Sequence, residues 1–397
     1  MKPEQLSDAL DLLPDVILEE THRVRCSPKR VRKNRLRWAA GAACFAVAVY
    51  AGAKMLEQGL PGGRPELPLL TISEETSGGM GFEGYMAYAI SELTNGNPWS
   101  EASAPTVLPV YQNPAYDSEA DFAGMREILE ETARRFGLDP ELYGITDNAP
   151  DEETRRKITE KMDGNVPEGY FDPTKLRLEA DGIKLEAEPD GTVTVSFEPA
   201  LPLPEEYRFT HHASYADAKQ VAEYLKEEYA DWLGFKYPQV NIAGGDYNIY
   251  LQQSYQIEFF DAGGSAAERI LHYNLNRAAF YCDDEGELFL VRFYRPDLLR
   301  KVGDYPIVAA EEARERLANG NYITSVPYEL PGMDYAAKVE LIYRAGSRDP
   351  YVMPYYRFYV ELPELERDGL KTYGAYYVPA VESAYLSDLP TWDGSFN

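Results

Sequence analysis

Seven side chains in this chain can supply an imidazole base, a thiolate or a soft metal ligand: His22, His211, His212, His272, Cys26, Cys44 and Cys282. His22 and Cys26 are spaced i, i+4, which on a helix puts both on one face and makes half of a zinc site. No further His or Cys lies nearby to complete four ligands, so no metal is expected there. His211-His212 stands just before Ser214, a helix-start residue. With a distant acid the pair could hold a metal, but a solvated loop is the plainer reading. His272 falls in Arg269–Tyr281, which reads as a strand, so a half-buried histidine is expected rather than a base. Cys282 follows beside Asp283 and Asp284, whose charge raises a thiol pKa and makes the thiolate scarce.

The acids of Asp283-Asp-Glu-Gly286 lack the alternating ligands and distal Glu of a calcium loop. They read instead as a hairpin turn in which Gly286 takes positive φ. No Gly-x-Ser-x-Gly, no His-Glu-x-x-His and no phosphate-cradling glycine loop occurs. A nucleophile, base and orienter set is therefore not visible. Paired carboxylates for glycoside hydrolysis stay open, because their separation on a cleft wall does not show in a sequence. No catalytic residue, metal or cofactor is assigned.

The elements that carry these residues alternate between helices and paired strands. Ser118 to Phe136 reads as a helix closed by Gly137, with Phe122, Met125, Ile128 and Leu129 on one side. Leu176-Arg-Leu-Glu-Ala, Ile183-Lys-Leu-Glu-Ala and Val193-Thr-Val-Ser-Phe alternate apolar and polar residues about Asp181-Gly182 and Asp190-Gly191 turns, which makes a meander. Ser214 with Asp217 starts a second helix that runs to Trp232 and stops at Gly234. Strands are expected at Tyr247–Phe260, Arg269–Tyr281 and Glu287–Tyr294. A helix from Pro306 to Leu317 and strands at Lys338–Arg344, Val352–Leu362 and Thr372–Val381 complete a smaller α+β unit.

Charge and hydropathy organise the whole. Between His22 and Arg37 lie eight basic residues and no acid, followed by the uncharged run Trp38 to Ala53. Spanning helices carry few charges, and this run carries none. It is short against the roughly 20 residues usually needed to cross. Arg37 and Lys54 can lend their methylene stems and snorkel outward, while Trp38 suits an interface. The expectation is a single transmembrane helix over 38–56 anchored by Arg37, Trp38 and Lys54, with the basic side in the cytosol. A cleaved signal ending at Ala51-Gly52-Ala53 competes, but 37 residues is a long charged leader.

Residues 1–37 hold nine Lys/Arg against six Asp/Glu; the rest of the chain holds 30 basic and 60 acidic residues. A surface that acidic repels phosphate backbones, which argues against nucleic-acid binding. The three cysteines fall in three compartments of this topology, so no intrachain disulfide is expected. The layout becomes a short basic cytoplasmic segment (1–37), a membrane helix (38–56) and a Gly/Pro-rich stalk or covering segment (57–117). An extracytoplasmic α+β domain (118–300) and a second α+β domain (301–397) follow. The fold class is α+β: antiparallel sheets with packed helices, preceded by one transmembrane helix.

Several C-terminal motifs carry a resemblance. Ile307-Val-Ala-Ala-Glu-Glu-Ala, Tyr322-Ile-Thr-Ser-Val326 and Val339-Glu-Leu-Ile-Tyr-Arg344 are followed by Val352-Met-Pro-Tyr-Tyr-Arg-Phe-Tyr-Val360 and Tyr376-Tyr-Val-Pro-Ala380. Together, over roughly 306–381, they resemble a PepSY-like module, similar in order to the C-terminal domain of the YycH/YycI regulators of low-GC Gram-positive bacteria. The region around Gly81-Phe-Glu-Gly-Tyr is also similar to clostridial membrane proteins. The layout is similar to transmembrane anti-sigma factors as well.

What the resemblance implies is a single-pass regulator that restrains a membrane sensor kinase or a sigma-factor system through protein contact. The reading is thus a membrane-anchored extracytoplasmic sensory or regulatory protein, non-catalytic. A cell-wall or carbohydrate-binding module is the first alternative and an acid-pair glycoside hydrolase the second. The partners expected are the membrane and either a membrane protein or a wall ligand. Tyr355, Tyr356, Phe358, Tyr376 and Tyr377 are the candidate aromatics of an exposed binding face.

Overall fold

Polar punctuation decides where the elements begin. The computed structural model describes residues 67–72, 84–116, 121–180, 182–210, 212–248, 250–346 and 349–394. In order come β1 (Gly84–Ala87), β2 (Val107–Gln112), α1 (Phe122–Arg135), α2 (Pro140–Tyr143), β3 (Thr146–Asp147) and α3 (Glu152–Lys161). Then follow β4 (Leu176–Ala180), β5 (Ile183–Ala187), β6 (Thr192–Leu201), α4 (Tyr215–Glu228), α5 (Ala230–Leu233), β7 (Pro238–Tyr247) and β8 (Gln253–Asp261). The chain continues with α6 (Ala266–Leu275), β9 (Arg277–Cys282), β10 (Leu288–Tyr294), β11 (Lys301–Pro306) and α7 (Ala310–Ala318). It ends with β12 (Ile323–Thr324), β13 (Ala336–Arg344), β14 (Tyr351–Glu361) and β15 (Lys371–Pro379).

The fold is α+β, built on two antiparallel sheets. Eight strands run in the order β3-β4-β5-β6-β10-β9-β8-β7, all drawn from residues 146–294. The other sheet orders β1-β15-β14-β2-β11, with β12 on β15 and β13 on β14. It takes its strands from the two ends of this part of the chain. The chain passes from one sheet to the other between Gln112 and Thr146 and back between Tyr294 and Lys301, and from Leu67 onward it forms one compact unit.

In the eight-stranded sheet the alternation of β4 to β6 puts Leu178, Leu185, Val193 and Val195 on one face. Helices α1 and α4 cover that face through Met125, Leu129, Val221 and Leu225. Both are capped by their own side chains: Asp121 accepts from Ala123 and Gly124 N–H, and Ser214 from Asp217 N–H. Each large aliphatic buried this way contributes about 1.5–3 kcal/mol.

The seven-stranded sheet is covered on both faces. Most residues of β14 and β15 are buried, in keeping with their largely apolar sequence, which Arg357 interrupts. Tyrosine fills much of this core, and four of its hydroxyls are spent on backbone carbonyls. Tyr305 donates to Pro68 O (2.9 Å), Tyr343 to Pro109 O (2.8 Å), Tyr356 to Val308 O (2.8 Å) and Tyr376 to Tyr328 O (2.8 Å). A buried hydroxyl left without a partner would cost about 1–3 kcal/mol.

Four expectations change here. Arg269–Tyr281 is not one strand: α6 runs to Leu275 before β9 begins. The reason is a capping box in which Ser265 and Glu268 satisfy each other's backbone N–H (3.2 and 2.7 Å). Tyr247–Phe260 is broken by a turn in which Asn248 accepts from Tyr250 and Gln252 N–H (2.9 and 3.1 Å), and β7 begins nine residues earlier at Pro238. The Pro306 helix starts only at Ala310, because Lys301–Pro306 pairs with β2.

Lastly, the five aromatics expected on an exposed face are buried. Tyr356, Phe358 and Tyr376 pack in one apolar cluster, Tyr355 and Tyr377 in another on the opposite side of the sheet. Alternation sent them to two faces, and both faces are covered. Within 57–117, β1 and β2 are strands of this sheet, and Leu70, Leu108 and Val110 are fully buried. Among the described residues no helix is long and apolar enough to cross a membrane. The segment 38–56, with Arg37, Trp38 and Lys54, lies outside the described residues, as do His22, Cys26 and Cys44.

Candidate functional site

Helix α6 packs on β13 of one sheet and on β8 and β9 of the other. Its Asn274 Oδ1 accepts the N–H of Tyr343 at 3.0 Å. Two sheets splayed about one helix leave a cleft of about 620 Å³, floored by Tyr273, Asn274 and Leu275. That volume suits a small ligand.

One wall is made by β13 to β15. Glu340 lies directly opposite Arg357, which in turn lies opposite Tyr377. Arg357 Nη2 reaches Glu340 Oε2 at 2.6 Å, and Lys338 Nζ reaches Oε1 at 2.6 Å. Asn95 Nδ2 adds a third bond at 2.8 Å. The guanidinium of Arg357 sits over the Tyr359 ring at 5.0 Å. Burial alone would raise the Glu340 carboxyl, but Arg357 and then Lys338 outweigh it and hold the group below its ordinary value. This is a fixed ion cluster.

The facing wall comes from β7 to β10. Asn241 and Glu258 are paired in register, and Asn241 Nδ2 donates to Glu258 Oε2 at 2.9 Å. Arg277 Nη1 reaches Glu258 Oε1 at 3.3 Å and lies over the Tyr294 ring at 5.5 Å. Burial pushes the Tyr273 hydroxyl above its ordinary range, so it stays a neutral donor at the cleft floor.

A strap, residues 84–99, ties the walls together. On one side β1 pairs with β15, Lys338 donates to Leu93 O (2.8 Å), and Asn97 donates to Leu341 O (3.3 Å). On the other, Gly96 N–H donates to Asn241 Oδ1 (2.7 Å), and Tyr247 donates to Glu92 (3.3 Å). Glycine is required at 96, since a Cβ there would stand 2.7 Å from Val240 O.

Two guanidinium nitrogens at this cleft, Arg344 Nη1 and Arg357 Nε, are buried without a hydrogen-bond partner. Arg344 is held over the Tyr377 ring at 4.8 Å and has Asp349 at 3.7 Å. The lining residues are Tyr, Asn, Gln, Arg and small or aliphatic side chains, with Asp246 and Glu258 the acids. No His, Cys, Ser, Thr or Lys is among the described residues that line it. The arrangement is equipped to receive a polar ligand through amides, tyrosines and guanidinium groups.

The residues singled out from sequence lie elsewhere, Tyr377 excepted, which lines the cleft. His272 sits on α6 with Nδ1 2.9 Å from Asp261 O. His212 is exposed, and His211 lies outside the described residues. Cys282 is buried, and burial, helped by Asp283 and Asp284, pushes its thiol up to about 12. Asp283 Oδ1 accepts from Glu285 and Glu287 N–H (3.0 and 2.8 Å), so that carboxylate serves the turn. Among the described residues no group of three His, Cys, Asp or Glu is placed to hold a metal ion. Glu340 and Arg357 went unassigned in sequence, though a lone charge inside an apolar strand is the signal: a buried charge must be paired.

No protein-family profile matches the chain, and no curated protein does. Among solved structures, an uncharacterized protein from Eubacterium rectale is similar over 70% of this chain and 84% of its own, at 10% identity and a TM-score of 0.32. That distance carries no argument about fold or function.

Proposed function

We propose that the chain is a membrane-tethered extracytoplasmic sensory or regulatory protein, acting by ligand and protein contact rather than catalysis. Residues 38–56 are the tether, 1–37 the cytoplasmic end, and 67–394 the outer receptor. The observation that carries the reading is the polar cleft between the two sheets, spanned by the 84–99 strap. A ligand in the cleft touches both walls and the strap, and the strap is continuous in sequence with the segment leading back to the tether. A membrane protein, a sensor kinase or sigma-factor system, is the partner that the PepSY-like resemblance suggests. The order α7, β13, β14, β15 supports that resemblance.

The ion clusters support a binding role over a hydrolytic one. A general acid needs a raised pKa, whereas Glu340 is held low by Arg357 and Lys338. The amides and tyrosines of the same cleft favour one second reading, a cell-wall or carbohydrate binder. Deleting residues 1–37 while keeping the helix should abolish signalling output; surviving output would remove the regulator reading. Purified peptidoglycan used as bait separates the second reading, because the regulator should retrieve a membrane protein instead.

A further inference from the structure

We propose that the cleft takes a small organic carboxylate, seated on Arg344. The proposal rests on the reading of the cleft as a receptor site and names the class of its ligand. The other arginines lining the cleft are neutralised at hydrogen-bonding distance, Arg357 by Glu340 at 2.6 Å and Arg277 by Glu258 at 3.3 Å. Arg344 differs. Its nearest carboxylate among the described residues is Asp349 at 3.7 Å, and that same oxygen already accepts Gly346 N–H at 2.7 Å. Its Nη1 is buried with no hydrogen-bond partner, as is Arg357 Nε, and its guanidinium carbon lies over the Tyr377 ring, 4.8 Å from the centroid. A guanidinium fixed in this way offers a planar fork, and its natural complement is a planar carboxylate.

Water could fill the vacant N–H but would leave Arg344 with only the long ion pair to Asp349. A phosphate dianion fits less well, since Asp349, Asp246 and Glu258 all stand near the same space. A neutral sugar would leave the fork unmatched. The remaining lining, Asn95, Asn274 and Gln256 with tyrosine hydroxyls and ring faces, suits a body bearing amide or hydroxyl groups.

Calorimetric titration of the full-length chain in detergent tests this with matched probes. N-acetylmuramate is set beside N-acetylglucosamine, N-acetylalanine beside its amide, benzoate beside benzamide, and inorganic phosphate is added alone. At least one acid should bind about tenfold or more tightly than its neutral partner, the value of one charge-assisted bond. Arg344→Gln should erase that preference and Arg344→Lys retain part of it, with unchanged thermal unfolding showing that both variants fold. Equal binding of acid and neutral partners overturns the carboxylate assignment while leaving a receptor cleft. Tighter phosphate binding, blanks for every probe, or a preference that survives Arg344→Gln also overturns it. The receptor reading is judged separately, by the output of the chain lacking residues 1–37.

Discussion

Arg316 and Arg344 are both sunk against the same seven-stranded sheet, with side chains 7% and 17% exposed. Arg316 projects from α7 to the end of β15, where Nη1 donates to Pro379 O (3.1 Å) and Val381 O (3.0 Å) and Nη2 reaches Glu312 (2.9 Å). Those bonds knit helix to strand. Arg344 stands at the end of β13 over the Tyr377 ring, with a long contact to Asp349 and a donor left over. The contrast separates two uses of buried charge. A guanidinium consumed by backbone carbonyls holds the fold together, and one held rigid but unspent is available to something else.

Variants can break or sharpen that comparison. The largest effect is expected at the cleft's saturated cluster: Glu340→Ala strands Arg357 and Lys338 and should cost about 3–5 kcal/mol in urea unfolding. Because the folded Glu340 is held below its ordinary value, its contribution is present above about pH 4.5 and lost as pH falls through the lower folded value. Acid destabilisation below that point should therefore be shallower in Glu340→Ala than in the parent. Arg316→Met leaves two buried carbonyls unsatisfied and should cost about 2–4 kcal/mol. Tyr356→Phe removes only the bond to Val308 O and should cost about 1 kcal/mol. Arg344→Gln should change stability by less than about 1 kcal/mol. A loss at Arg344 as large as that at Arg316 would make both arginines structural and end the distinction.

How far the sequence foretold this depends on the range of the interaction that decides each part. The meander β4–β6 was legible, since period-two alternation and Asp-Gly turns are local signals. The second helix was legible in its Ser214 cap and its Gly234 stop, although the structure breaks it at Tyr229 into α4 and α5. The α6 helix was missed because its capping box lies at Ser265, ahead of a run whose β-like residues also suit a buried helix. Segment 57–117 read as a stalk or covering segment rather than as sheet strands because the partners of β1 and β2, namely β15, β14 and β11, lie far along the chain. The five aromatics were recognised as strand residues, but burial of both faces depends on layers that no local pattern announces. The cleft was invisible for the same reason: Asn95, Glu258, Arg344 and Arg357 meet only through tertiary packing.

The division of strands between the sheets has a consequence for biosynthesis. Every strand of the eight-stranded sheet comes from one uninterrupted stretch, 146–294, so that sheet can assemble while the ribosome is still working. The strands β1 and β2 are made first yet must wait for partners made last, and until then their edges stay open to improper pairing. A nascent chain halted near residue 300 should hold one finished sheet and two orphan strands.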